Sequence, residues 1–169
     1  MRFRGTLYRA INPIYAHEPL SGKGAEAYGG RLNPRGMPAL YLSLSIPTVL
    51  REVNQVGSFQ PVTIVAYEAD IEPIIDTRNR QALHDETVDL DLLSDAGWRE
   101  AMRRDGIAPS QMIARALHAT GYAGILIRSF APGAGPEDLN IVLWSWGNTR
   151  PVRLIPIDDD RRLGRLAHS

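Results

Sequence analysis

Gly29-Gly30-Arg31-Leu32-Asn33-Pro34-Arg35-Gly36, followed two residues later by Ala39-Leu40-Tyr41-Leu42-Ser43 and then by Glu52, is the stretch on which the reading of this chain turns. A double glycine lets the backbone take positive φ or come close to a ligand, and the arginine after it carries the group best shaped for bidentate phosphate binding. The apolar run from Ala39 to Ser43 reads as a strand that delivers an aromatic ring and a hydroxyl. Ser45 and Pro47 then make a helix start. Glu52 falls about one and a half turns into that helix, near enough in the chain to return to the same cleft. Arginine, tyrosine and glutamate within 22 residues point to nucleotide chemistry.

Upstream of this stretch, Thr6-Leu7-Tyr8-Arg9 reads as a short opening strand, and residues 12–30 read as a loop carrying Pro13, Pro19 and four glycines. Downstream, the helix after Ser45 stops near Gly57. Val62 to Asp70 is a β-branched strand bounded by Pro61 and Pro73, with Ile74-Ile75-Asp76 extending it. Residues 79–104 are irregular, with Leu83, Leu90, Leu92, Leu93 and Trp98 supplying apolar contacts between short helices. Ser110 to Gly121 is the clearest helix, capped by Ser110 and stopped by Gly121. Ile125 to Ser129 has the composition of a buried strand, and Pro132 to Pro136 that of a loop. Ile141 to Trp146 then reads as a strand turned at Gly147-Asn148 into Val152 to Ile157, an antiparallel hairpin with Trp144 and Trp146 on one core-facing side. The expected organisation is one domain over residues 1–157 and a charged tail over 158–169.

At 169 residues the chain is long enough to bury a core without cross-links. It has no cysteine, which excludes disulfides, thiolate metal sites and a cysteine nucleophile. Acidic and basic residues balance at 19 each, so no global field draws the protein to nucleic acid or to a membrane surface. The start of the chain is broken by Arg9 and Asn12 and does not read as a signal peptide, and no run is long enough to span a bilayer. His17, His84, His118 and His168 lack metal-ligand spacing, and Asp89, Asp91 and Asp95 read as helix caps rather than cation ligands. Gly22-Lys23-Gly24 superficially matches a dinucleotide fingerprint, but Pro19 precedes it and no strand leads in.

Each candidate site residue has a second reading. Arg31 is an anion anchor or a surface arginine after a turn. Tyr41 stacks on a planar heterocycle or fills the core. Glu52 stabilises a cationic sugar or pairs with a neighbouring arginine. Ser129 holds an amide or phosphate, or is a polar strand end.

Taken together, Leu7-Tyr8-Arg9, Pro19-Leu20-Ser21-Gly22, Gly29 to Pro34, Tyr41-Leu42-Ser43, Glu52 and Ser129 resemble the RES domain, the toxin half of the Xre-RES class of bacterial toxin–antitoxin systems. Arg31, Glu52 and Ser129 fill the positions after which that family is named. The resemblance leaves residues 78–110 unaligned. It implies a mixed α+β fold like that of ADP-ribosyltransferase toxins, a split β core with flanking helices. It implies NAD+ as substrate and no metal, with Glu52, Arg31 and Tyr41 as catalytic residues. Arg9, Gly30, Arg31, Tyr41, Ser43 and Ser129 would bind the ligand. The chemistry it implies is cleavage of the nicotinamide–ribose bond, with ADP-ribose passing to a host protein, water or phosphate. A cytoplasmic setting, a cognate helix-turn-helix antitoxin of the Xre type that blocks the cleft, and a dimer within that complex belong to the same expectation. A non-catalytic nucleotide-binding regulator, or an interaction protein using the Trp144–Trp146 strand, are the competing readings.

Overall fold

In the computed structural model, which describes residues 1–56 and 58–164, the β-branched stretches form strands β1 (Phe3–Ile11), β2 (Leu40–Ser43), β3 (Thr63–Ile71), β4 (Ile74–Asp76), β5 (Gly124–Arg128), β6 (Leu139–Leu143) and β7 (Val152–Pro156). Between them lie helices α1 (Lys23–Tyr28), α2 (Ile46–Val53), α3 (Arg80–Asp85), α4 (Leu90–Ser94), α5 (Trp98–Asp105) and α6 (Pro109–Ala119). The strands make one mixed sheet in the order β4-β5-β6-β2-β1-β3-β7, antiparallel except for β4 beside β5. This is the expected mixed α+β architecture in a single domain.

Strands β5 and β6 are apolar over Ile125–Ile127 and Ile141–Leu143 because both faces of the sheet are covered there. Leu126, Ile141 and Leu143 join Leu7, Leu40, Leu42, Val65 and Tyr67 in one cluster. Ile125, Ile127, Val142 and Trp144 join Leu32, Ala114 and Leu117 of α6 in another. The two halves of the sheet meet at a weak seam. β1 pairs with β3 without interruption from Phe3↔Ile71 to Ile11↔Thr63, but with β2 only at Tyr8↔Ser43. The β core is thereby split, and the seam opens into a cleft.

Several expectations are corrected. Ile74 to Asp76 does not extend β3: it is a separate edge strand parallel to β5, because Pro73 cannot donate to a ladder and ends the pairing. The hairpin between β6 and the last strand does not form. Both edges of β6 are already occupied, by β2 and β5, so the chain crosses the sheet and β7 pairs with β3 instead. β6 ends at Leu143, so the two tryptophans do not share a face: Trp144 packs in the α6-side cluster and Trp146 against the other. Residues 12–30 are not all loop, since they contain a 3-10 turn at Pro13–Tyr15 and α1. Leu83, Leu93 and Trp98 are buried as expected, whereas Leu90 and Leu92 of α4 are exposed and do not supply the expected apolar contacts.

Ser45 does cap α2, its hydroxyl accepting from the Thr48 N–H at 3.2 Å, with Pro47 in the first turn. The expected stop near Gly57 lies outside the described residues. Asp89 caps α4 as expected, accepting from the Asp91 N–H. α6 is capped differently from the expectation. Its N-cap is Ala108, whose N–H donates to the Gln111 side chain at 2.9 Å, and Ser110 lies inside the first turn with its hydroxyl free for another task. Of the expected tail, Asp158 to Leu163 form a turn in which the Asp158 carboxylate accepts from the Arg162 and Leu163 N–H groups; residues 165–169 lie outside the described residues.

Candidate active site

The loop from Gly29 to Gly36 is built by its own backbone and held from outside. Gly29 has φ +74°, which glycine adopts without strain. Gly30 is needed for a different reason: a Cβ there would lie 2.3 Å from the Tyr41 Oη and 2.7 Å from the Asn33 Oδ1. Asn33, fully buried, donates through Nδ2 to the carbonyls of Ala25 at 2.8 Å and Met37 at 2.9 Å. Its Oδ1 accepts from the Tyr41 hydroxyl at 2.7 Å, and that hydroxyl accepts from the Leu32 N–H at 3.0 Å.

Four successive carbonyls of this loop are then captured by side chains from elsewhere. Gln111 donates to Gly30 O at 2.9 Å and to Asn33 O at 3.1 Å, Ser110 to Arg31 O at 2.7 Å, and the Trp144 indole to Leu32 O at 2.8 Å. Buried donors and acceptors are thus mutually satisfied, which fixes the loop before any ligand arrives.

Tyr41 consequently has its hydroxyl end sealed and its ring partly exposed, with 37 % of the residue open on the cleft side. Burial is the main cause that holds the phenol above its ordinary pKa, with the Leu32 N–H and the Arg31 charge opposing. Arg31 lies across the cleft with its guanidinium 4.5 Å over the Phe130 ring. Its Nη1 donates to the carbonyls of Asp95 at 2.8 Å and Leu93 at 3.4 Å. Burial first and the charge of Arg99 second lower its pKa, while Asp95, Glu52 and Tyr41 act the other way.

Glu52 projects from α2 into the same space. Its Oε1 accepts from the Ser129 hydroxyl and from Asn140 Nδ2 at 2.6 Å, and its Oε2 accepts from Gln55. A carboxylate can only accept, so Asn140 must present its NH2 to Glu52 and its carbonyl to the Ser43 hydroxyl, which donates to it at 2.6 Å. Both lone pairs of Oε1 are occupied, and Oε2 keeps one acceptor position for a further partner. The registers explain the arrangement: Asn140 on β6 stands opposite Ser43 on β2 and Ile127 on β5, two residues before Ser129.

Asp138 fastens α2 to the loop that carries Ser129. It accepts from the Thr48 hydroxyl at 2.7 Å and the Gly135 N–H at 2.7 Å, and lies 3.5 Å from the Arg51 guanidinium. The Thr48 hydrogen bond above all, then the Gly135 N–H, holds its carboxyl below the usual range against the effect of burial, with Arg51 assisting.

These groups surround a cleft of about 440 Å³ at the seam between β1 and β2, within the range of small-molecule sites. Among the described residues Glu52 is the one carboxylate that lines it, against four arginines: Arg9, Arg31, Arg99 and Arg128. Of the residues expected from sequence, Arg9, Gly30, Arg31, Tyr41, Ser43 and Glu52 all line the cleft. Arg9 gives one arm to the Pro19 carbonyl at 3.1 Å. Ser129 stands behind Glu52, its hydroxyl directed to the carboxylate. Sequence reasoning missed Asn140, Gln111 and Arg99. Asn140 left a signal, a polar residue inside the apolar strand Leu139-Asn140-Ile141; Arg99 lies in the unaligned segment and left none. Among the described residues no group of three or more His, Asp or Glu side chains could hold a metal ion, and no helix is long and apolar enough to cross a membrane.

Comparison with known proteins adds three findings. The family model described as the RES domain matches residues 6–165. Among solved structures, a chain from the crystal structure of the M. tuberculosis MbcT-MbcA toxin-antitoxin complex superposes with a TM-score of 0.65 at 24 % identity, over 94 % of this chain and 84 % of that chain, a likeness of fold. None of the curated proteins matches the sequence.

Proposed function

The chain belongs to the RES-domain family, and on that premise we propose that it is the toxin of a toxin–antitoxin pair, an enzyme that cleaves NAD+ at the nicotinamide–ribose bond and transfers ADP-ribose. The observation that carries this reading is Glu52, a carboxylate oriented by Ser129, Asn140 and Gln55 in a cleft whose other charged lining residues are arginines.

Cleavage of that bond sends its electron pair to the nicotinamide nitrogen, which becomes neutral, and leaves positive charge on the ribose. The groups needed are therefore a fixed negative charge near the sugar, a flat surface for the departing ring and cations for the diphosphate. Glu52 supplies the first, with the remaining acceptor position on Oε2 suited to a ribose hydroxyl. The half-open ring of Tyr41 supplies the second. Arg31, with Arg9 further along the cleft, supplies the third, and Gly30 lets Tyr41 and the loop close around the ligand. Ser43 and Ser129 act through Asn140 and Glu52. The acceptor attacks the ribose carbon that nicotinamide leaves: a protein side chain gives mono-ADP-ribosylation, whereas water or phosphate gives NAD+ depletion. Either outcome arrests growth.

An arginine-rich cleft also suits the expected Xre-type antitoxin, which would silence the enzyme by inserting an acidic or carboxyl-terminal segment in a cytoplasmic complex containing dimers of the toxin. The test is chromatography and intact-mass analysis of NAD+ incubated with purified protein, alone and with lysate, for wild type and Glu52→Gln. Glu52-dependent release of nicotinamide is expected, and the partner of the ADP-ribose names the acceptor. Binding of NAD+ without turnover in any condition would replace the enzyme with a nucleotide-binding regulator.

A further inference from the structure

We infer that the start of α5 completes an oxyanion subsite at the cleft, in which Arg99 and the Trp98 indole N–H act with Arg31 to hold a phosphate group. Three observations converge on it. First, Arg31 and Arg99 share the cleft wall and are close enough for the charge of Arg99 to weigh on Arg31. Neither has a carboxylate within 4 Å among the described residues. The nearby Asp95 carboxylate is turned to the Gly97 N–H, at 2.8 Å. Two like charges with no carboxylate in direct contact repel, and an anion between them removes that cost.

Second, both guanidiniums sit over aromatic rings, and Arg31 leaves donors over. Arg31 lies on Phe130 and Arg99 on Trp98, each 4.5 Å from the ring centre. Arg31 spends only Nη1 on protein carbonyls, so its Nε–Nη2 edge, the fork that matches two phosphate oxygens, has no protein partner among the described residues.

Third, Trp98 lines the cleft with only 7 % of its surface exposed, and its Nε1–H is the one buried side-chain polar atom without a hydrogen-bond partner among the described residues. A buried donor left unmade is costly, and native proteins rarely keep one without use. A phosphate oxygen is an acceptor of the right kind.

The ligand chemistry is a phosphate oxyanion. Its source is either the diphosphate of the dinucleotide, which rests on the function proposed above, or a free phosphate ion. Titration calorimetry with inorganic pyrophosphate, inorganic phosphate, ADP-ribose and adenosine, on wild type and Arg99→Gln, tests the site. Arg99 is exposed in the first turn of α5, so its replacement removes charge without disturbing the core. The expected result is a loss of about tenfold or more in affinity for the phosphate-bearing probes that bind wild type, no change for adenosine, and a partial recovery in Arg99→Lys. The Trp98 Nε1–H resonance, identified by its absence in Trp98→Phe, shifts when pyrophosphate is added. Competition between inorganic phosphate and ADP-ribose supports the diphosphate as source; simultaneous binding of the two supports free phosphate. Unchanged affinity of Arg99→Gln for every phosphate-bearing probe, or a wild type that binds none of them, overturns the subsite. A wild type that binds pyrophosphate through Arg99 but never cleaves NAD+ keeps the subsite and removes the proposed enzyme.

Discussion

Gly30→Ala is the substitution whose consequence follows most directly from the geometry. Gly30 does not have the positive φ of Gly29, so the strain is one of space alone. The added Cβ would lie 2.3 Å from Tyr41 Oη, 2.7 Å from Asn33 Oδ1 and 2.8 Å from Tyr41 Cζ. Ordinary contact begins at roughly 3.5 Å, so the phenol must retreat by about 1 Å. That retreat breaks the hydrogen bonds of Tyr41 with Asn33 and Leu32, each worth about 1 kcal/mol. Overpacking adds about 1–3 kcal/mol. A total of roughly 3–5 kcal/mol corresponds to a fall in melting temperature on the order of 10 °C for a domain of this size. A displacement of about 1 Å in a positioning ring costs on the order of 100-fold in turnover. Thermal denaturation and nicotinamide release measure the two effects. Tyr41→Phe removes the atom that the new methyl group strikes, so the Gly30→Ala penalty shrinks in that background by about 1 kcal/mol or more. Strictly additive effects, or a Gly30→Ala protein that melts and turns over like wild type, would refute the account of why this residue is glycine.

Asn140→Leu keeps the bulk of the side chain but removes the Nδ2 donor to Glu52. It should lower kcat by at least about tenfold with little change in KM, because the carboxylate is reoriented while the ligand contacts remain. Gln111→Leu removes the side-chain donor that Gly30 O and Asn33 O share and leaves the buried Ala108 N–H without its acceptor, and stability should fall by about 2 kcal/mol, read from the denaturant midpoint. Asp138 has its folded pKa depressed, so its contribution to stability is present above the unfolded value near 4 and is lost as pH falls through the folded one. Asp138→Asn should therefore be clearly less stable than wild type at pH 7, with the gap closing in denaturation series as pH falls below the unfolded value and through the depressed folded one; a constant gap would exclude the linkage.

How much of this was legible beforehand depended on whether the information was local. The Gly29 to Glu52 stretch could be read because its turn, strand and capped helix are each specified within a few residues, and the fold brings its Arg31, Tyr41 and Glu52 to one cleft. Hydrophobic runs identified β3, β5 and much of β6, but not their neighbours. Partner choice for β4 and β7 was decided by which sheet edges were already occupied, a property of the assembled sheet that no run of residues carries. Asn140 and Gln111 stayed hidden for a related reason. Their tasks are defined by groups 88 and 81 residues away, Glu52 and the Gly30 carbonyl. Ser110 shows how a local rule is overridden: a serine that reads as a helix cap donates its hydroxyl to Arg31 O, and an alanine takes the capping position.

The most direct test of the central claim separates binding from cleavage at Glu52. Purified wild type and Glu52→Gln are compared for NAD+ affinity by calorimetry and for single-turnover nicotinamide release. A glutamine retains the shape of the side chain but not the charge that stabilises the ribosyl cation. The account predicts NAD+ affinity within a few fold of wild type and cleavage lower by about 100-fold or more. Cleavage by Glu52→Gln at the wild-type rate would contradict it.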